Sequence, residues 1–176
     1  FTLAQLNTAV SDADVASTAV ATATVSGLVP TPPNNTTTFL RGDATFAAPA
    51  ALGTVTATTS GTSVDMTGIP SGIKQITISF GGVSTSGTSN LLVQIGDSGG
   101  PETTGYIAEG VQCPDAGAIS AISSTAGFLI NQASATNAFY GAMMLTLHDS
   151  TNNYWSCMYT GRGETNNGMF GGGTRL

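Results

Sequence analysis

The chain has one histidine, His148, and Asp149 follows it directly. An imidazole beside a carboxylate can activate a hydroxyl nucleophile when a serine lies within reach. The pair falls at a turn, however, and a turn-flanking histidine is the simpler reading. Gly96-Asp97-Ser98-Gly99-Gly100 has the letters of a loop that can present a serine nucleophile. No histidine precedes it in the chain, so it reads as a hairpin turn. Asp12 and Asp14 would share a face of a strand, but glycan hydrolysis needs two carboxylates across a cleft, and nothing selects such a pair. Asp149, Asn152 and Asn153 offer oxygens of the kind calcium prefers; the same residue types are also the ordinary composition of a polar turn. Cys113, before Pro114 in a loop-like stretch, and Cys157, in an aromatic strand-like run, are too few for a structural metal site; they could make one disulfide but read rather as free, partly buried thiols. These groups suggest no enzyme, cofactor or metal centre.

Carbohydrate contact is the chemistry left. Sugars stack on exposed aromatic rings and hydrogen-bond to amide side chains. Tyr106, Tyr140 and Tyr154, with Asn152 and Asn153, are the candidate contacts. Alternation along a strand sets Tyr154 and Trp155 on opposite sides. Trp155 is expected to be buried with Leu145, which turns Tyr154 outward.

The elements that must carry these groups show in the hydrophobic pattern. Leu3, Leu6, Val10 and Ala13 make an apolar stripe after a Thr2-x-x-Gln5 capping pattern, which predicts a short helix. That helix either docks on its own domain or bundles with identical neighbours. Residues 1–26 are thus a helix and an extended arm, for trimerisation or attachment. Residues 27–53 are a proline-rich linker, with Pro30, Pro32 and Pro33 imposing an extended backbone. Within it, Thr38 to Phe46 reads as a tight hairpin. Arg41-Gly42-Asp43 forms its turn and is structural rather than adhesive, while Phe39, Leu40 and Phe46 supply apolar packing.

Residues 54–176 are expected to be β throughout. Lys74, Ile76, Ile78 and Phe80 alternate toward a core. Met143, Leu145 and Leu147 do the same, as do Trp155, Cys157 and Tyr159. Short strands are also expected at Leu91–Gly96, Tyr106–Val111 and Phe128–Ile130, with Asp149–Asn153 as a turn. The fold class is all-β, an antiparallel sandwich of jelly-roll type. Gly171 to Leu176 resembles the start of a further strand, and the sequence reads as part of a longer polypeptide.

Composition narrows the partners. Of 176 residues, 8% are charged, against ~25% in typical soluble domains. Thr, Ser, Asn and Gly replace the charges and suit close, repeated β packing. The net charge is −6, and the bases are Arg41, Lys74, Arg162 and Arg175. Four scattered cations do not displace the counterions of a nucleic acid or hold an anionic membrane. No apolar run approaches the ~20 residues of a membrane span, and residues 1–20 lack the basic start and continuous apolar stretch expected of a signal peptide. With 40% hydrophobic residues, a core can still form.

Three stretches resemble tail-fibre and related virion proteins of tailed bacteriophages. They are Thr2-Leu-Ala-Gln-Leu-Asn7 with Val10-Ser-Asp-Ala13; Gly27-Leu-Val-Pro-Thr-Pro-Pro33 running into Phe39-Leu-Arg-Gly-Asp43-x-Thr45-Phe46-Ala47; and Ser63-Val-Asp-Met-Thr-Gly-Ile-Pro-Ser-Gly72 with Ile76-Thr-Ile78 and Gly87-Thr-Ser-Asn-Leu91. The resemblance covers most of residues 1–112 and weakens after Cys113. Members usually have Trp at Phe46 and Gly at Ala44; Phe46 keeps the apolar anchor. The resemblance implies a parallel homotrimer in the virion, assembled in the host cytoplasm and joined through its N-terminus to other tail or virion proteins. Its distal domain would bind a host surface polysaccharide or receptor. The alternative is a capsid, tail or head-fibre decoration protein without a receptor role. A fibre-borne hydrolase is disfavoured, since no repeated β-helix period is present.

Overall fold

The computed structural model describes residues 38–41, 46–47, 53–59 and 61–176. The expected N-terminal helix with Leu3, Leu6 and Val10, the proline run and the turn residue Gly42 lie outside these residues. The chain divides into two compact units, Phe1–Thr56 and Ala57–Leu176.

In the first unit, β1 (Phe39–Leu40) and β2 (Phe46–Ala47) pair antiparallel, with Phe39 opposite Ala47 and Leu40 opposite Phe46. A cross-strand Leu–Phe pair is the apolar contact that a short hairpin needs to hold its register. It is therefore Leu40 rather than Phe39 that stands opposite Phe46. Phe39 and Leu40 are both exposed.

The second unit begins without strands: none occurs among the described residues from 57 to 74, so strand structure starts later than the threonine alternation after Thr54 suggests. It then runs through β3 (Gln75–Val83), β4 (Leu91–Val93), β5 (Gly96–Asp97), β6 (Gly100–Pro101), β7 (Tyr106–Pro114), β8 (Ser120–Ser124), β9 (Phe128–Ile130), β10 (Phe139–Asp149), β11 (Tyr154–Gly163) and β12 (Asn167–Arg175). The described residues contain no helix, and every strand pairing is antiparallel.

One six-stranded sheet dominates, in the order β3-β10-β11-β12-β7-β8. The strand at Gly171–Arg175 is the second half of β12, hydrogen-bonded to β11 on one side and β7 on the other. Cys113 lies within β7 rather than in a loop. The Ser/Ala-rich stretch before Phe128, which carries no strong apolar signal, forms the edge strand β8.

The inward face of this sheet holds the core. Tyr106 and Ala108 of β7, Phe139, Met143 and Leu145 of β10, Trp155, Cys157 and Tyr159 of β11, and Met169 of β12 are buried there. Ile76, Ile78 and Phe80 pack against them from β3; Lys74 stays exposed just before that strand. The paired ribbon β4–β9 covers part of this face through Phe128 and Ile130.

Aromatic rings meet edge to face, which suits their quadrupoles. Phe139 contacts Phe80 at 5.5 Å and Tyr159 at 6.1 Å, and Tyr106 contacts Phe128 at 5.0 Å. Glycines make room for them. A Cβ on Gly141 or Gly161 would lie 2.6 or 2.5 Å from the Phe139 ring, so that ring rests on bare backbone. Gly110 has a different task. A Cβ there would lie 3.0 Å from the Asn131 nitrogen and 3.1 Å from the Leu129 carbonyl oxygen, so its absence lets the β9 backbone settle on the sheet.

Candidate functional site

The β10–β11 turn gathers several of the candidate residues. Asp149 and Tyr154 are register partners at its base, after a bulge that follows Leu147. Asp149 closes the turn itself. Its Oδ1 accepts from the Thr151 amide at 2.8 Å, and its Oδ2 accepts from Asn152 Nδ2 at 2.7 Å. The Asn152 side chain, then the Thr151 amide, hold the Asp149 carboxyl below its ordinary pKa. Asn153 takes the left-handed backbone conformation, φ 52°, that asparagine tolerates at the end of such a turn. Both carboxylate oxygens are thus engaged in holding the turn.

His148 and Tyr154 stack at 5.3 Å with a 35° tilt, and His148 Nε2 lies 2.6 Å from Ser156 Oγ. This histidine–serine contact joins neighbouring strands on the outward side of the sheet. Asp149 bonds within its turn and not to the imidazole, so the three side chains do not form a relay. What the cluster offers is a half-buried phenol, its ring backed by an imidazole, beside exposed amides.

The other candidate tyrosines lie elsewhere. Trp155 is 8% exposed and inward, and Tyr154 points outward, as alternation requires. Tyr140 is also outward, but it pairs with Arg162 at the far end of β11. Eight residues of strand separate Arg162 from Tyr154, roughly 26 Å. Tyr106 corrects the sequence expectation: it is 1% exposed, and its hydroxyl accepts from the Ile95 amide at 2.9 Å. Its ring belongs to the core and offers no sugar contact. Burial raises the pKa of Tyr106, and that of Tyr159 for the same leading reason.

Gly96–Gly100 forms the expected hairpin: β5 and β6 pair, and Asp97 Oδ1 accepts from the Gly99 amide at 2.6 Å. Cys113 and Cys157 are both free thiols. Burial pushes the Cys157 thiol up to about 12, which keeps it protonated and unreactive.

One feature escapes sequence reading. A surface groove of about 470 Å³ is lined by Ser89, Asn90, Leu92, Ile122, Ser123, Ser124 and Leu129. Asn90 Oδ1 is buried beside it without a hydrogen-bond partner among the described residues. Its walls come from β8, β9 and the approach to β4, segments distant in sequence. The serine run around position 123 was its only local signal.

No family model matches this chain, no curated protein is similar to it, and no solved structure matches its fold. Among the described residues, no helix is long and apolar enough to cross a membrane, and no group of three His, Cys, Asp or Glu side chains could hold a metal ion.

Proposed function

We propose that this chain is a structural protein of a tailed-bacteriophage tail fibre, acting in host attachment as a parallel homotrimer. The feature that carries this reading is the order of its parts: an apolar stripe, a proline-rich linker, an aromatic hairpin, then an all-β domain of very low charge. A thin shaft has little core per chain, so identical chains must bury the hairpin's apolar side chains against one another. The exposure of Phe39 and Leu40 in a single chain supports this. In this reading the distal domain is a β-sandwich of jelly-roll type, with β4–β9 as part of its second layer. Tyr154, Asn152 and Asn153 form the glycan contact, as an aromatic platform with hydrogen-bonding amides. The N-terminal arm joins other tail or virion proteins, and the protein resides in the virion.

The test is adsorption of the fluorescently labelled full chain to a panel of bacterial cells, before and after periodate oxidation of surface glycans. Binding that periodate abolishes and that Tyr154→Ala weakens at least tenfold supports the reading. Periodate-resistant binding would assign attachment to a protein receptor. Binding to no cell, together with gold labelling over the capsid, would favour the decoration role.

A further inference from the structure

The second face of the six-stranded sheet has no covering layer among the described residues, and beside its threonines and serines it carries large apolar side chains. Strand alternation turns Ile107 and Val111 of β7, Tyr140 and Met144 of β10, Met158 of β11 and Phe170 of β12 to this side. Ile107 is 68% exposed, Met158 58% and Phe170 51%. The register sets them in adjoining rows. Phe170 stands between Thr160 and Val111, while Gly172 stands between Met158 and Glu109. Along β12 the Phe170 ring is thus flanked by the hollows of Gly168 and Gly172. Water-facing sheets normally carry polar residues at such positions, and large apolar side chains left this exposed on one uncovered face mark an interface.

We infer that this face is covered by identical faces of neighbouring copies of the same chain, which rests on the trimeric reading above. Two arguments select a copy of the chain as the occupant. The first is charge. The whole chain carries −6, so copies repel over most of their surface. Inside the rim formed by the β10–β11 turn, the outward strand positions hold one acid, Glu109, and one base, Arg162. Neither makes an ion pair among the described residues. The face is thus neutral, and like faces can approach without repulsion.

The second argument is area. Six strands at ~4.8 Å spacing and ~30 Å length give a face of roughly 700 Å², close to the ~800 Å² per partner of a stable interface. Three such faces set as a triangular prism stand roughly 7 Å from the common axis, given a sheet width of ~24 Å. Two sheets packed face to face allow ~5 Å each. Side chains the size of Phe170, Met158 and Tyr140 span the larger distance, where valine and alanine alone would not.

Methionine oxidation of the native full chain tests this without a mutation. Met158 lies on the face, and Met66, 54% exposed, lies off it and serves as the internal reference. With dilute peroxide, Met158 should oxidise at least fivefold more slowly than Met66 in the assembled protein. It should match Met66 when the assembly is dissociated by dilution. A Phe170→Glu/Met158→Glu variant should elute as a folded monomer that keeps the near-ultraviolet dichroism of buried Trp155. A multimer in which Met158 and Met66 oxidise equally, or whose mass the double variant leaves unchanged, would overturn the inference and leave the trimer itself standing. A wild-type monomer by light scattering would overturn both. Protection of Met158 in a monomer would assign the face to another segment of the same chain, also against the inference.

Discussion

At the scale of single residues, chemistry follows side-chain direction. Two thiols of one sequence meet different environments because Cys157 points inward beside Trp155 and Tyr159, whereas Cys113 sits half-buried toward the other face. Iodoacetamide should therefore alkylate Cys113 in the folded chain once the assembly is dissociated by dilution, and reach Cys157 only on unfolding, a difference that peptide mass mapping reads directly. The raised Cys157 pKa also fixes a sign. The folded state keeps a proton that the unfolded thiol loses above ~8.5, so stability falls between that pH and about 12. Urea midpoints at pH 7 and pH 10 should show the drop, and Cys157→Ser should reduce its size. Asp149 works in the opposite direction. Its depressed pKa stabilises the β10–β11 turn above the ordinary carboxylate range, and that support is lost as pH falls through the folded value. Amide exchange at Thr151 should accelerate on acidification, and Asp149→Asn should remove the pH dependence.

At the scale of elements, the glycines of β10, β11 and β12 decide whether the aromatic rings can lie on the sheet. Gly161→Val would drive a side chain into the Tyr140 carbonyl oxygen and the fully buried Phe139 ring. Overpacking of this kind costs ~1–3 kcal/mol, visible as a lower urea midpoint with an unchanged slope. Phe139→Ala removes the ring and should cost ~3–5 kcal/mol, the usual range for a buried aromatic. The hairpin β1–β2 answers to a different measurement. Its Leu40–Phe46 pair is too small to stabilise a chain alone, so Phe46→Ala should weaken assembly more than it lowers the melting temperature of the distal domain. Sedimentation over a concentration series separates the two effects. Asp43→Glu should leave assembly unchanged; loss of cell binding in that variant would make the turn a recognition site.

At the scale of the whole molecule, light scattering should give three chains, and the circular-dichroism spectrum should be dominated by β structure. A monodisperse monomer at micromolar concentration, with the N-terminal arm intact, would contradict the trimer. Assembly should be insensitive to moderate salt, because the proposed contact face carries one acid and one base and apolar burial is not screened. A steep loss of the multimer between low and physiological salt would place ion pairs, rather than the apolar face, at the contact.

Sequence alone determined the period of this protein. Alternation at Ile76–Phe80, Met143–Leu147 and Trp155–Tyr159 was enough to assign strands, inward faces and the burial of Trp155, because a strand's side-chain repeat is strictly two. The Asp149–Asn153 turn and the Gly96–Gly100 hairpin were legible for the same local reason: their residue types bond their own backbone. Tertiary structure decided what depends on partners distant in the chain. Tyr106 alternates like a surface tyrosine, but Phe128 and the Ile95 amide enclose it. The β12 strand lies inside the sheet because β7, about sixty residues earlier, supplies its second ladder. The polar edge β8, and the groove it shares with β9, have no periodic signal, since Ile122 is the only large apolar side chain of that strand and one residue sets no period. Which face of the sheet stays bare follows from where β4–β9 folds over, and no local pattern carries that choice: alternation makes two faces, and only the third dimension covers one of them.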